Sequence, residues 1–177
     1  AHQVLISLFW AVCPFGDALS QCAQAFLPAV RSVPGRRKLQ QQLVTLGVLV
    51  GLLSATACLL PLLIAEAFTA DAAICAAMRS TVPLLVLCAA LYPAASSQEG
   101  VIIGSQDNAF VAKLYALSPL LTFGLVHVLS KLTGGPTLAV AWMAFAGFQA
   151  MRAVGFAVRL ATTPVNEPAE CRLTFKG

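Results

Sequence analysis

Residues 2–30 read HQVLISLFWAVCPFGDALSQCAQAFLPAV, and their periodicity decides the fold class. At alternating steps of four and three the stretch places Gln3, Ser7, Trp10, Pro14, Asp17, Gln21, Gln24 and Pro28 on one face of a helix. The opposite face carries Leu5, Phe9, Val12, Leu19, Phe26 and Val30. The stretch is too long and too apolar for a strand, and it carries a single acid. A polar stripe on such a helix cannot face lipid without cost, so it is expected to face protein or water. A carboxylate within a membrane helix costs about 2.5–3.5 kcal/mol on insertion scales. Asp17 is therefore expected to be retained for a hydrogen-bond network, an ion pair, or contact with a proton or cation. Gln21 and Gln24 are candidates for further polar contacts on the same face.

The remainder of the chain has the same character. Of 177 residues only 18 are charged (11 Lys or Arg, 7 Asp or Glu) and 59% are hydrophobic. Mean hydropathy is +0.84. Soluble domains carry about 25% charged residues, and disorder requires low hydrophobicity with high net charge; both are excluded. Charges divide the chain into five apolar segments: His2–Val30, Leu43–Ala65, Ser80–Gln98, Leu114–Ser130 and Pro136–Leu160. The third reaches Gly104 if its helix continues through Glu99. None alternates as a barrel strand must, and a helix satisfies its backbone polar groups internally in lipid. The expectation is an all-α polytopic membrane helix bundle with five transmembrane helices over residues 1–161. Residues 162–177 form a polar tail outside the bilayer. Connections of the form RSVPGRRK (31–38) and KLTGGP (131–136) read as turns, with Pro136 opening the last helix.

Five spans place Arg31, Arg36, Arg37, Lys38, Lys113, Arg152, Arg159, Arg172 and Lys176 on one side of the membrane, against Arg79 and Lys131 on the other. That asymmetry orients the chain with its C-terminal end inward. No methionine precedes Met78, which leads to the expectation of a fragment of a longer protein. A cleaved signal peptide fits the start less well, because a basic n-region is missing and the apolar stretch continues past Asp17.

Glu99 sits in YPAASSQEGVIIGSQDNAF (92–110) among Ser96, Ser97 and Gln98. A helix ending at Gln98 makes it a solvated end charge; a helix ending at Gly104 makes it intramembrane. Pro93 and the glycines suggest a broken helix beside an acid, an arrangement that transporters use at their sites. Asp107 is expected at the interface. Arg152 is expected to snorkel to the inner interface, with an acid in the bundle as the alternative partner. Gly47, Gly51 and Ala55 form a small-residue ridge for helix packing. The six cysteines, Cys13, Cys22, Cys58, Cys75, Cys88 and Cys171, lack metal-ligand spacing and read as packed apolar residues. Neither a metal nor a cofactor is expected. P-loop, GxSxG, HExxH and dinucleotide motifs are absent, and the Arg36–Lys38 cluster has no aromatic partners of the kind nucleic-acid binding uses.

AHQVLISLFWAVCPFGDALSQCAQAFLP (1–28) resembles the eighth transmembrane helix of multidrug and toxic compound extrusion (MATE) transporters, in particular the DinF-like branch with its plastid-envelope members. Asp17-Ala18 stands where the branch has an acid-small pair, though many relatives have Gly in place of Ala18. QEGVIIGSQDNAF (98–110) is similar to the tenth helix, with Glu99-Gly100 as its acid-Gly pair. FQAMRAVGFAVRLA (148–161) is similar to the last helix, with Arg152 at an often basic position. The resemblance spans Ala1–Ala161. It implies two six-helix lobes, of which this chain is the C-terminal one without its first helix. It also implies exchange of protons or sodium ions for small organic compounds. On that reading Asp17, Gln21, Gln24 and Glu99 are the coupling-ion or substrate candidates, in a plasma or organellar membrane such as that of a plastid. The alternatives are a structural membrane subunit, with Asp17 as an assembly contact, and an intramembrane enzyme, for which no nucleophile or metal cluster is evident.

Overall fold

The computed structural model describes residues 1–163. Among these the chain is all-α: α1 (His2–Phe26), α2 (Val33–Ala57), α3 (Leu60–Phe68), α4 (Ala72–Gly104), α5 (Asn108–Thr133) and α6 (Leu138–Thr162). All but α3 are long and apolar enough to cross a membrane, the make-up of an integral membrane protein. At nine residues, α3 rises only about 14 Å, too little to cross. Of the polar tail expected from residue 162, Thr162 closes α6 and Thr163 caps it; residues 164–177, Cys171 among them, lie outside the described residues.

Local chemistry sets the helix ends, and in two places it departs from the hydropathy pattern. RSVPGRRK is not a loop throughout. The Ser32 hydroxyl accepts from the Gly35 N–H at 3.3 Å, and Pro34 occupies the first turn, where its missing N–H costs nothing. Arg36, Arg37 and Lys38 are thus helical. The apolar stretch 43–65 is not one helix either. Pro61 has no N–H to donate, and its ring opposes the carbonyl four residues back, at Ala57, where α2 ends. The chain restarts as α3, bent again at Ile64 (φ −129°, ψ 35°). Asp71 then caps α4, accepting from Ala73 and Ile74 N–H at 2.8 and 3.2 Å. Arg79 on α4 pairs with Glu66 on α3. The backbone N–H of Glu66 and then Arg79 hold the Glu66 carboxyl below its ordinary range. Gly134, at φ 78°, supplies the left-handed cap that ends α5. Thr137 rather than Pro136 opens α6, accepting from Val140 N–H at 3.2 Å.

The longest helix, α4, is the axis of the bundle. It stays helical through Pro83 and Pro93 to Gly104, which places Glu99 inside a helix and decides between the two readings of that residue. Helix α1 runs parallel to it, Gly16 lying against Pro93 and Ala23 against Gly104. Helix α2 runs antiparallel, Gln40 reaching Ser105 and Gly51 meeting Ala90. Two glycines permit these approaches. A Cβ at Gly51 would sit 2.2 Å from the Ala90 carbonyl oxygen, and one at Gly100 would sit 2.5 Å from Ser20 Cα. The small-residue ridge of α2 therefore packs on α4 rather than facing lipid.

The main core gathers Leu5, Phe9, Met78, Val82, Leu85 and Trp142 from α1, α4 and α6, with Phe9 edge-on to Phe145 at 5.0 Å. Leu5, Phe9 and Val12 face this core as expected of the apolar side of α1, but Phe26 is exposed and Ala23 and Leu27 are buried in its place. Helix α5 packs mainly on α6 and turns Leu120, Phe123 and Leu132 outward, a surface suited to lipid.

Candidate functional site

Where α1, α4, α5 and α6 converge, charged and phenolic side chains meet inside an otherwise apolar bundle. Parallel packing of α1 on α4 brings Tyr92 beside Asp17, and the Tyr92 hydroxyl donates to Asp17 Oδ1 at 2.7 Å. Two turns further along α4, Glu99 Oε2 receives Arg152 Nη2 from α6 at 2.7 Å and the Tyr115 hydroxyl from α5 at 2.7 Å. Arg152 Nη1 also donates to Gln149 Oε1 at 2.9 Å. The guanidinium carbon lies 5.5 Å from the Tyr92 ring centre, 5.6 Å from that of Tyr115 and 5.6 Å from that of Phe148. These distances suit cation–π attraction. One continuous path of contacts, Asp17–Tyr92–Arg152–Glu99–Tyr115, thus joins four helices.

Arg152 corrects an expectation. It does not snorkel; it is 5% exposed and tied to Glu99. Its position explains why: it lies ten residues before the end of α6, about 15 Å along the axis, and a carboxylate stands nearer than the membrane surface does. Arg159, a further two turns on, takes the interfacial role. It pairs with Asp107 at 2.7 Å and lies over the Phe110 ring at 5.2 Å.

The sequence candidates separate. Asp17 and Glu99 join the cluster, Asp17 half-buried at the rim of the exposed polar face of α1. Gln21 and Gln24 remain outside it, both exposed, with Gln24 Nε2 donating to Ser20 Oγ at 3.2 Å. Tyr92 and Tyr115 were not among the candidates. A phenol in an apolar segment is an ordinary interfacial residue, and no local pattern marked either as the partner of an acid. Cys13, Cys58 and Cys88 are buried in the main core, Cys75 is buried with its Sγ donating to the Thr69 carbonyl at 3.4 Å, and Cys22 is exposed. Among the described residues no group of His, Cys, Asp and Glu is arranged to hold a metal ion.

The two acids have different chemistry. Glu99 has a full countercharge and a second donor, so protonating it would strand a buried guanidinium. Asp17 has a neutral donor only. No ion pair among the described residues holds it.

Over 156 residues, 84% of its length, the chain is 30% identical to Protein DETOXIFICATION 47, chloroplastic, from Arabidopsis thaliana. The matched region makes up 28% of that relative, so the chain spans well under half of the protein it resembles. No family model matches the chain, and no solved structure does.

Proposed function

We propose that the chain is the greater part of the C-terminal lobe of a MATE-family transporter of the DinF-like branch. In the whole protein it would exchange a proton or cation for a small organic compound across a plasma or organellar membrane. Similarity to a DETOXIFICATION protein and five apolar helices support a transporter over an enzyme. One observation carries the site assignment: Asp17 borders the exposed polar face of α1 while its only described protein partner is a neutral phenol. A carboxylate so placed binds and releases a positive charge at little structural cost. Its proton or ion occupancy then biases one conformation over another through Tyr92, as coupling requires. Glu99 is the second site residue, paired with Arg152 and oriented by Tyr115. Gln21 and Gln24 line the polar face on the substrate side.

The test is gradient-driven uptake into proteoliposomes containing the intact protein. Wild-type protein is expected to accumulate an organic substrate under an imposed proton or sodium gradient, and Asp17→Asn to remain at the level set by leak. Wild-type rates in the mutant would remove Asp17 from coupling. The charge asymmetry sets the orientation: maleimide labelling of Ser32→Cys and Ser130→Cys in a cysteine-depleted background is expected from opposite sides of the membrane. Labelling of both from one side would discard the five-span arrangement.

A further inference from the structure

We propose that a groove between the start of α2 and the end of α6 binds a single-chain amphiphilic anion drawn from the bilayer, of the hydroxylated long-chain fatty-acid class. The groove has a volume of ≈ 900 Å³, within the range of about 300–1,000 Å³ typical of small-molecule sites. It is separate from the Asp17 cluster, and the inference does not depend on the transport reading.

Its walls carry a graded chemistry. On α2, Arg37, Gln41 and Val44 line it in turn, at spacings of four and three that keep them on one helix face. Arg37 stands at the membrane-surface end of the helix and Val44 about 10 Å deeper. Leu160 of α6 closes the apolar side. Among the described residues no carboxylate lines the groove, and the Arg37 guanidinium stands at its mouth, so the mouth favours an anion. Cation, amide and hydrocarbon succeed one another in the order a fatty acid presents its parts when inserted head-outward.

Gln98 supplies the second, independent observation. It reaches the groove from α4, is 8% exposed, and its Oε1 has no hydrogen-bond partner among the described residues. A buried acceptor left without a donor is costly, and lipid methylenes cannot satisfy it. Antiparallel packing sets Gly47 of α2 against Ser97, so Gln98 lies at the deep end of the groove, near the level of Val44. A ligand that satisfies both Arg37 and Gln98 needs an anion at one end and a hydroxyl about a nanometre along its chain. A fatty acid hydroxylated near mid-chain has both, and its hydroxyl would donate to Gln98 Oε1 while its carboxylate meets Arg37.

The experiment uses the intact protein in phosphatidylcholine nanodiscs, with 10-hydroxystearate, stearate and the methyl ester of 10-hydroxystearate as probes. Binding is read by titration calorimetry. Wild-type protein is expected to bind 10-hydroxystearate about fivefold to tenfold more tightly than stearate, the difference of one net hydrogen bond. The methyl ester is expected to bind more weakly than the free acid. Gln98→Leu should erase the preference for the hydroxyl, and Arg37→Gln should weaken both acids by the same factor while leaving the ester unchanged. Equal binding of hydroxystearate and stearate by wild type, a preference that survives Gln98→Leu, or no saturable binding would each overturn the proposal. Arg37 is exposed, so that variant tests the site even if Gln98→Leu fails to accumulate.

Discussion

Asp17 and Glu99 are joined through a tyrosine and an arginine, yet they are held by opposite strategies. Glu99 is fixed by a guanidinium and a phenol, each at 2.7 Å, and its arginine is caged by three aromatic rings. Asp17 receives one phenolic hydrogen bond and borders an open polar face. The difference teaches which acid is fixed by a countercharge and which is held by a neutral donor alone. A carboxylate locked in an ion pair contributes to structure, because any change strands its partner in low dielectric. A carboxylate with a neutral partner keeps its neighbours satisfied in either state.

This contrast breaks most readily at Arg152. Arg152→Met leaves Glu99 uncompensated and is expected to cost about 3–5 kcal/mol, seen as a large fall in folded yield and thermal midpoint. Combining it with Glu99→Leu should restore most of the loss, because both charges then disappear together. A single mutant as stable as wild type would show that the pair is not structural. Tyr115→Phe removes the second donor to Glu99 and is expected to cost about 1.5–3 kcal/mol, the range for a hydrogen bond to a charged group. A thermal midpoint equal to that of wild type would mean Arg152 alone suffices.

Effects on the Asp17 side should be smaller. Tyr92→Phe is expected to cost about 1 kcal/mol, since the half-buried carboxylate can turn to water. A loss as large as that of Arg152→Met would make the two acids equivalent and end the comparison. Asp17→Asn should shift stability least, by less than about 1 kcal/mol, because the amide oxygen still accepts from Tyr92. Set beside the expected loss of transport, that small shift separates coupling from structure. A protein that fails to accumulate in the membrane would make Asp17 an assembly contact.

Legibility differed from feature to feature. The polar and apolar sides of α1 were visible in the spacing of Gln3, Asp17 and Gln24 against Leu5, Phe9 and Val12, because side-chain period maps directly onto helix face. The packing ridge of α2 was visible in Gly47 and Gly51 for the same reason. Helix ends were less visible. Hydropathy placed the second segment at 43–65, whereas capping at Ser32 and the missing N–H of Pro61 moved the helix to Val33–Ala57. Those determinants act over four residues and are averaged away in a window long enough to detect a span.

Composition and period therefore determined what is local: an all-helical chain, five apolar helices, one polar helix face and an acid on it. Only tertiary structure decided what Arg152 does, that Tyr92 and Tyr115 are the partners of the two acids, and that Gln21 and Gln24 stand apart from them. Glu99 and Arg152 are 53 residues apart in sequence, and Asp17 and Tyr92 are 75 apart. The energy of a buried charge depends on the groups within a few ångströms of it, and which groups those are is set by how helices dock, a property that no single helix carries in its own residues.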